Sequence, residues 1–238
     1  MTNAASENPL GRTQEFLKQI VYGGNDGIVT TFAIVAGFAG ASADGVAQIG
    51  GLAVLVFGFA NLFADAVSMG LGEFLSARSE RQLYQGRLSW LLGRLRDDPE
   101  TETATLAKLL QERGLKEPDA KAASVIIARE PSLMAELIMR YDSGLTNPDG
   151  DNPALNGFVT FLSFVVFGVI PLVPYFLFEA TESTLQLSVM ATLSALVALG
   201  VLRWNATGEK PARSIGETVV VGSVCAVVAF LVGMIVGG

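Results

Sequence analysis

Histidine is absent from this chain of 238 residues, and Cys225 is its only cysteine. With no imidazole there is no Ser/His or Cys/His nucleophile pair and no His-Glu metalloprotease motif. With one thiol there is no intramolecular disulfide and no thiolate zinc cage. No paired-carboxylate or nucleophile constellation stands in their place, so the chain does not read as an enzyme, and nothing in it calls for a prosthetic group. Positive charge is also scarce, 16 Lys and Arg against 23 Asp and Glu for a net charge of -7. No basic stripe runs along any segment, and a nucleic-acid partner is not expected. The stretch from Met1 to Gln19 carries only Arg12 and Lys18 as cations and has no basic region leading into a cleaved apolar one, so it does not read as a signal peptide.

What the chain has in quantity is apolar sequence, 50% of residues with a mean hydropathy of +0.46, gathered into long blocks. The blocks are Gly27 to Ala43, Val46 to Leu75, Ala154 to Phe178, Leu185 to Leu202 and Ile215 to Val236. Each approaches or exceeds the roughly 18 to 20 residues needed to cross a hydrocarbon core, the first by extending back toward Ile20. An isolated span must satisfy its own backbone hydrogen bonds, so helices are expected. The expected fold is an all-α membrane protein with five transmembrane helices and a small helical cytosolic domain between the second and third. Its parts are a cytosolic tail over 1–19, helices 1 and 2 over 20–75, the cytosolic domain over 76–153 and helices 3 to 5 over 154–238. The short Ser42-Ala43-Asp44-Gly45 turn makes the first two helices an antiparallel hairpin. Cys225 lies in the last apolar run and reads as a small buried residue.

The cations set the orientation. Two lie in the tail, eleven between Glu73 and Pro153, and three (Arg203, Lys210, Arg213) between the fourth and fifth blocks, which accounts for all 16. The loops after the first and third blocks have none, so the positive-inside rule puts the N-terminus in the cytosol and the C-terminus outside. A bacterial inner membrane is the expected host. Within the polar segment, Asp97-Asp98-Pro99-Glu100, Glu117-Pro118-Asp119 and Glu130-Pro131 read as helix starts, with Gly114 and Gly144 as stops. In the third block, Pro171 and Pro174 are expected to break the helix. Glu179 and Glu182 then fall in an outer loop, and Glu217 lies at the cytosolic start of the fifth block. Gly37 and Gly40 allow close helix approach and hint at a dimer seam.

An ionisable group inside a membrane helix costs about 2.5 to 3.5 kcal/mol on insertion scales and needs a partner or a wet cavity. Asp65 is such a group. Asn61 lies four residues before it, Met69 four after and Glu73 eight after, so all four share one helix face. Asp26, in Gly23-Gly24-Asn25-Asp26-Gly27, and the hydroxyls of Thr30 and Thr31 lie near the cytosolic end of the first helix, which the hairpin brings toward Met69 and Glu73. Oxygen donors with a thioether and no imidazole suit a moderately soft divalent ion; carboxylates alone would suit magnesium or calcium equally. Plainer readings stand beside this one. Asp26 fits a helix N-cap, Asn61 and Asp65 fit interhelical hydrogen bonding, Met69 fits packing, and Glu73 fits an interfacial carboxylate.

The run Asp26-Gly27-Ile28-Val29-Thr30-Thr31-Phe32-Ala33 with Val35-Ala36-Gly37, and the run from Asn61 to Ser76 containing Ser68-Met69-Gly70-Leu71-Gly72-Glu73-Phe74-Leu75, resemble the vacuolar iron transporter family. The resemblance implies a homodimeric, proton-coupled exporter of ferrous iron, and in some members manganese, with the metal path near the dimer axis. Asp26 and Met69 match the family's first-span aspartate and second-span methionine. An acidic position of some members holds Asn61 here, with Asp65 one turn later, so Asp65 is expected to supply the charge. The family's iron-loading members carry clustered glutamates on the extended second helix. Here that extension, from Gln85 to Arg94, is apolar and basic, and only Glu102, Met139 and Asp142 sit near plausible metal-binding equivalents, so packing or dimerisation is the expected role of the domain. A membrane scaffold or sensor, or a carrier or channel for another solute, stays open, and Asp65→Asn separates them: a scaffold tolerates it and a cation or proton path does not.

Overall fold

The computed structural model describes residues 16–42, 50–148 and 152–237, and every regular element among them is helical. In chain order these are α1 (Leu17–Ala41), α2 (Gly51–Asp97), α3 (Pro99–Glu112), α4 (Glu117–Ile127), α5 (Pro131–Asp142), α6 (Pro153–Gly168), a 3-10 turn (Ile170–Leu172), α7 (Val173–Leu177), α8 (Glu182–Thr207) and α9 (Pro211–Gly237). Four stretches among the described residues are long and apolar enough to cross a membrane: Gly51–Asp97, Pro153–Leu177, Glu182–Thr207 and Pro211–Gly237. The chain is a multi-pass membrane protein. Helix α1, the first of the five expected spans, falls outside that set because Asn25, Asp26, Thr30 and Thr31 interrupt its apolar run. The expected Ser42-to-Gly45 turn lies, after Ser42, outside the described residues.

The chain divides into two compact units, with boundaries after Phe74, inside α2, and after Asn152. In the first unit α1 is central and packs against α6, α8 and α9. Ile28 meets Ala195, Leu196 and Leu199 of α8, and Phe32, Val35 and Ala36 share a cluster with Val54, Leu172 and Tyr175. Small residues permit the closest approach: a Cβ on Gly233 would collide with the Gly37 carbonyl, and one on Gly40 with the Phe230 carbonyl. Gly37 and Gly40 therefore serve a seam with α9 of the same chain. Hydrophobic burial gives little drive between helices in lipid, so such backbone contact is what holds a membrane bundle together.

Pro171 and Pro174 act as their chemistry dictates. Helix α6 stops at Gly168, a 3-10 turn carries Pro171, and the chain resumes as α7. Ser188 of α8 donates to the Pro171 carbonyl at 2.7 Å in a fully buried position, satisfying a backbone acceptor beside the break. Glu182, expected in the outer loop, is instead the first residue of α8, where the Thr181 N–H reaches Thr184 Oγ1 at 3.4 Å. Glu217 accepts from Arg203 and Arg213, each at 2.9 Å, and is engaged as an ion-pair hub between α8 and α9. Cys225 is half-buried.

The second unit comprises the end of α2 with α3, α4 and α5. Its helices start at the acid–proline pairs: the Asp98 side chain accepts from the Thr101 N–H at 3.1 Å with Pro99 following, and Gly114 and Gly144 take positive φ of 104° and 68° after α3 and α5. Tyr84, Leu91, Leu95, Leu106, Leu110, Ala120, Met134 and Ile138 form its core. Outside it, Arg87 and Arg94 bracket the Trp90 ring at 4.1 and 4.9 Å.

Candidate functional site

The i, i+4 spacing on α2 produces two adjacent stripes. Val54, Gly58, Leu62, Ala66 and Gly70 are buried, and beside them Asn61, Asp65, Met69 and Glu73 are all half-buried. Four successive turns of an apolar helix thus carry polar or thioether side chains at one edge of its packed face, where an ionisable group needs a partner or a wet cavity. Asn61 Nδ2 donates to Asp65 Oδ2 at 2.7 Å, a bond within one helix. Met69 packs against the cluster of Leu62, Ala66 and Phe164.

Helix α1 faces this stripe at two levels. Asp26 lies within electrostatic range of Asp65. Further toward the start of α1, Gln19 Nε2 donates to Glu73 Oε1 at 3.1 Å, with the Lys18 ammonium 4.0 Å from the same oxygen. From residue 19 to 26 on α1 and from 65 to 73 on α2 the separations nearly match, so the two helices run antiparallel with two rungs roughly 11 Å apart. Asp26 is not an N-cap: α1 begins at Leu17, about two and a half turns earlier, and the Asp26 carbonyl accepts from Thr30 Oγ1 at 2.8 Å within the helix. Asp26 is thus a half-buried carboxylate inside a helix, within electrostatic range of Asp65.

Sequence reasoning missed Gln19, which was assigned to the tail. It stands seven residues before Asp26, on the same face of α1, and that spacing is the signal that finds it. It is 7% exposed, and its Oε1 has no hydrogen-bond partner among the described residues.

The second-unit candidates sit differently. Glu102 is buried and ion-paired with Arg94, Met139 is fully buried in the core, and Asp142 lies 4.0 Å from Arg87 and accepts from Ser143 at 3.3 Å. Each therefore has a structural partner. Among the described residues no group of three or more Cys, Asp and Glu side chains converges as a metal cage. The α1–α2 stripe instead offers its oxygen donors in pairs, Asn61 with Asp65 and Gln19 with Glu73.

Residues 17–234 match the sequence profile of the VIT family. The chain is 32% identical over 222 residues to a protein named vacuolar iron transporter 1 from Arabidopsis thaliana, covering 93% of this chain and 86% of that protein. It is 31% identical over 228 residues to the vacuolar iron transporter of Plasmodium falciparum, covering 92% and 81%, and 28% identical over 242 residues to that of Toxoplasma gondii, covering 98% and 78%. The profile match takes in both the Asp26 run of α1 and the Asn61-to-Glu73 stripe of α2. The chain belongs to the VIT family, the vacuolar iron transporters.

Proposed function

We propose that this protein exports Fe²⁺, Mn²⁺ or both from the cytosol by proton antiport, along a path formed by Asp26, Asn61, Asp65, Met69 and Glu73. One observation carries the reading: a half-buried stripe of an amide, two carboxylates and a thioether on an apolar spanning helix, opposed by a further carboxylate on α1. The relatives' name, vacuolar iron transporter, supports a metal as the cargo. The donor set, oxygen with one thioether, supports a first-row divalent ion over a purely hard one. Opposed carboxylates in a low-dielectric setting bind a cation or a proton in exchange, which supports antiport.

Helix α1 is the fifth span. Its 25 residues rise about 37 Å, enough to cross a core of about 30 Å, and its polar residues are those of the path. The cation distribution supports a cytosolic N-terminus with residues 76–153 on the same side. A homodimer is the assembly. The half-buried stripe leaves one side open, and Phe57, Phe63 and Val67 of α2 present an apolar face beside it for a second copy or for lipid. The relatives are vacuolar by name and eukaryotic, and they give a bacterial inner membrane no support. The test is purified protein in liposomes with a metal reporter and a pH dye inside. Metal entry with proton exit is the expected result. Metal entry without proton movement would remove antiport, and silence toward both ions would move a scaffold, or another solute, to the front.

A further inference from the structure

We infer that Gln19 and Glu73 together form the cytosolic entry site for the divalent cation, with the Gln19 amide turning over to exchange a hydrogen bond for a metal contact. The inference rests on the transport reading above. Glu73 has only 16% of its side chain exposed, and the cation paired with it among the described residues, Lys18, is 78% exposed and 4.0 Å away. Such a solvated, distant ammonium compensates a covered carboxylate poorly. Glu73 Oε1 instead accepts the Gln19 Nε2–H at 3.1 Å, which leaves Gln19 Oε1 buried with no partner among the described residues. Among the described residues that buried amide oxygen lacks a donor, which costs the fold free energy.

Rotating the amide by half a turn gives that oxygen a partner when a cation is present. Oε1 and the Glu73 carboxylate then face each other, an arrangement that is repulsive alone and favourable around a divalent ion, and the displaced Nε2 takes the vacated side. An amide oxygen and a carboxylate are both good ligands for a hydrated divalent ion, with water completing its shell. The arriving ion also replaces the weakly held Lys18 ammonium. Because Gln19 is neutral, the site holds one negative charge rather than two, so the ion is captured without being trapped. Met69 lies one turn further along α2 to receive it, with the Asp26–Asp65 rung beyond.

The test uses the full-length protein with Fe²⁺ and Mn²⁺ each as the probe, reading initial rates of entry into liposomes and equilibrium binding by dialysis in detergent. Gln19→Leu, which keeps bulk and removes the oxygen, raises KM by about tenfold with the maximal rate retained and weakens binding by a similar factor. Gln19→Glu lowers KM severalfold. Wild-type KM and binding in Gln19→Leu would overturn the entry site while leaving transport intact. If Gln19→Leu does not fold, unchanged KM and binding in Gln19→Glu overturn it equally. A wild type that moves neither ion, yet loses binding in Gln19→Leu, would overturn transport and keep the ligand; a wild type that neither moves nor binds either ion overturns both.

Discussion

Asn61 donates to Asp65 across 2.7 Å on the same face of α2, so the half-buried carboxylate of an apolar helix is held in place by the preceding turn of that helix. A hydrogen bond to a charged group is worth about 1.5 to 3 kcal/mol. The bond occupies Asp65 Oδ2.

Asn61→Leu removes the donor at similar volume. Losing about 1.5 kcal/mol of orientation slows maximal transport at least tenfold, with the variant still monodisperse in detergent. An unchanged maximal rate in a concentration series would show that Asn61 does not position Asp65.

The α1–α9 seam depends on backbone contact at Gly37 and Gly233. Gly233→Val therefore destabilises the protein by about 1 to 3 kcal/mol, because the added side chain meets a carbonyl that has nowhere to go. Gly216→Val on the same helix, where nothing lies within 4 Å, serves as the control and leaves thermal unfolding in detergent almost unmoved. Equal melting shifts for the two variants would contradict the seam.

In the second unit, Glu102 is buried against Arg94. Arg94→Ala strands that carboxylate and costs about 2 kcal/mol, less than for a fully enclosed pair because the Arg94 side chain is 47% exposed. Glu102→Gln costs less than Arg94→Ala. If Glu102 instead serves a metal, Fe²⁺ or Mn²⁺ stabilises the wild type and not Glu102→Gln, and calorimetry with and without each ion separates the two roles.

The helix starts of the second unit are acid-sensitive. The Thr101 hydrogen bonds hold the Asp98 carboxyl below the usual carboxylate range, and the bond from Lys121 does the same for Glu117. A lowered folded-state pKa means that the stabilisation is fully present above the unfolded pKa, near 4, and is lost as pH falls below it. The protection factor of the Thr101 amide therefore falls below about pH 4 in the wild type and is already low at neutral pH in Asp98→Ala. Exchange equally slow in both would exclude the cap.

Much of this arrangement was legible in the residues because each feature rests on a local rule. Acid–proline pairs begin helices, two prolines interrupt the third apolar block, and the four-residue spacing from Asn61 to Glu73 fixes one face of α2 whatever surrounds it. What the sequence hid depends on partners distant along the chain. Gln19 looked like the end of a polar tail until α1 proved to start before it and to lie against Glu73. Gly37 and Gly40 announced close packing but not against what, and Glu217 gave no sign of the two arginines that meet it. Asp26 had an equally local alternative as a cap, and only the position of the helix start decided between them.

The most direct measurement of the account is the initial rate of Fe²⁺ and Mn²⁺ entry into liposomes holding wild-type protein or Asp65→Asn, which preserves shape and removes one negative charge from the stripe. Metal entry in the wild type with at least a tenfold loss in Asp65→Asn is the predicted result. Equal entry in both would contradict a path through this stripe.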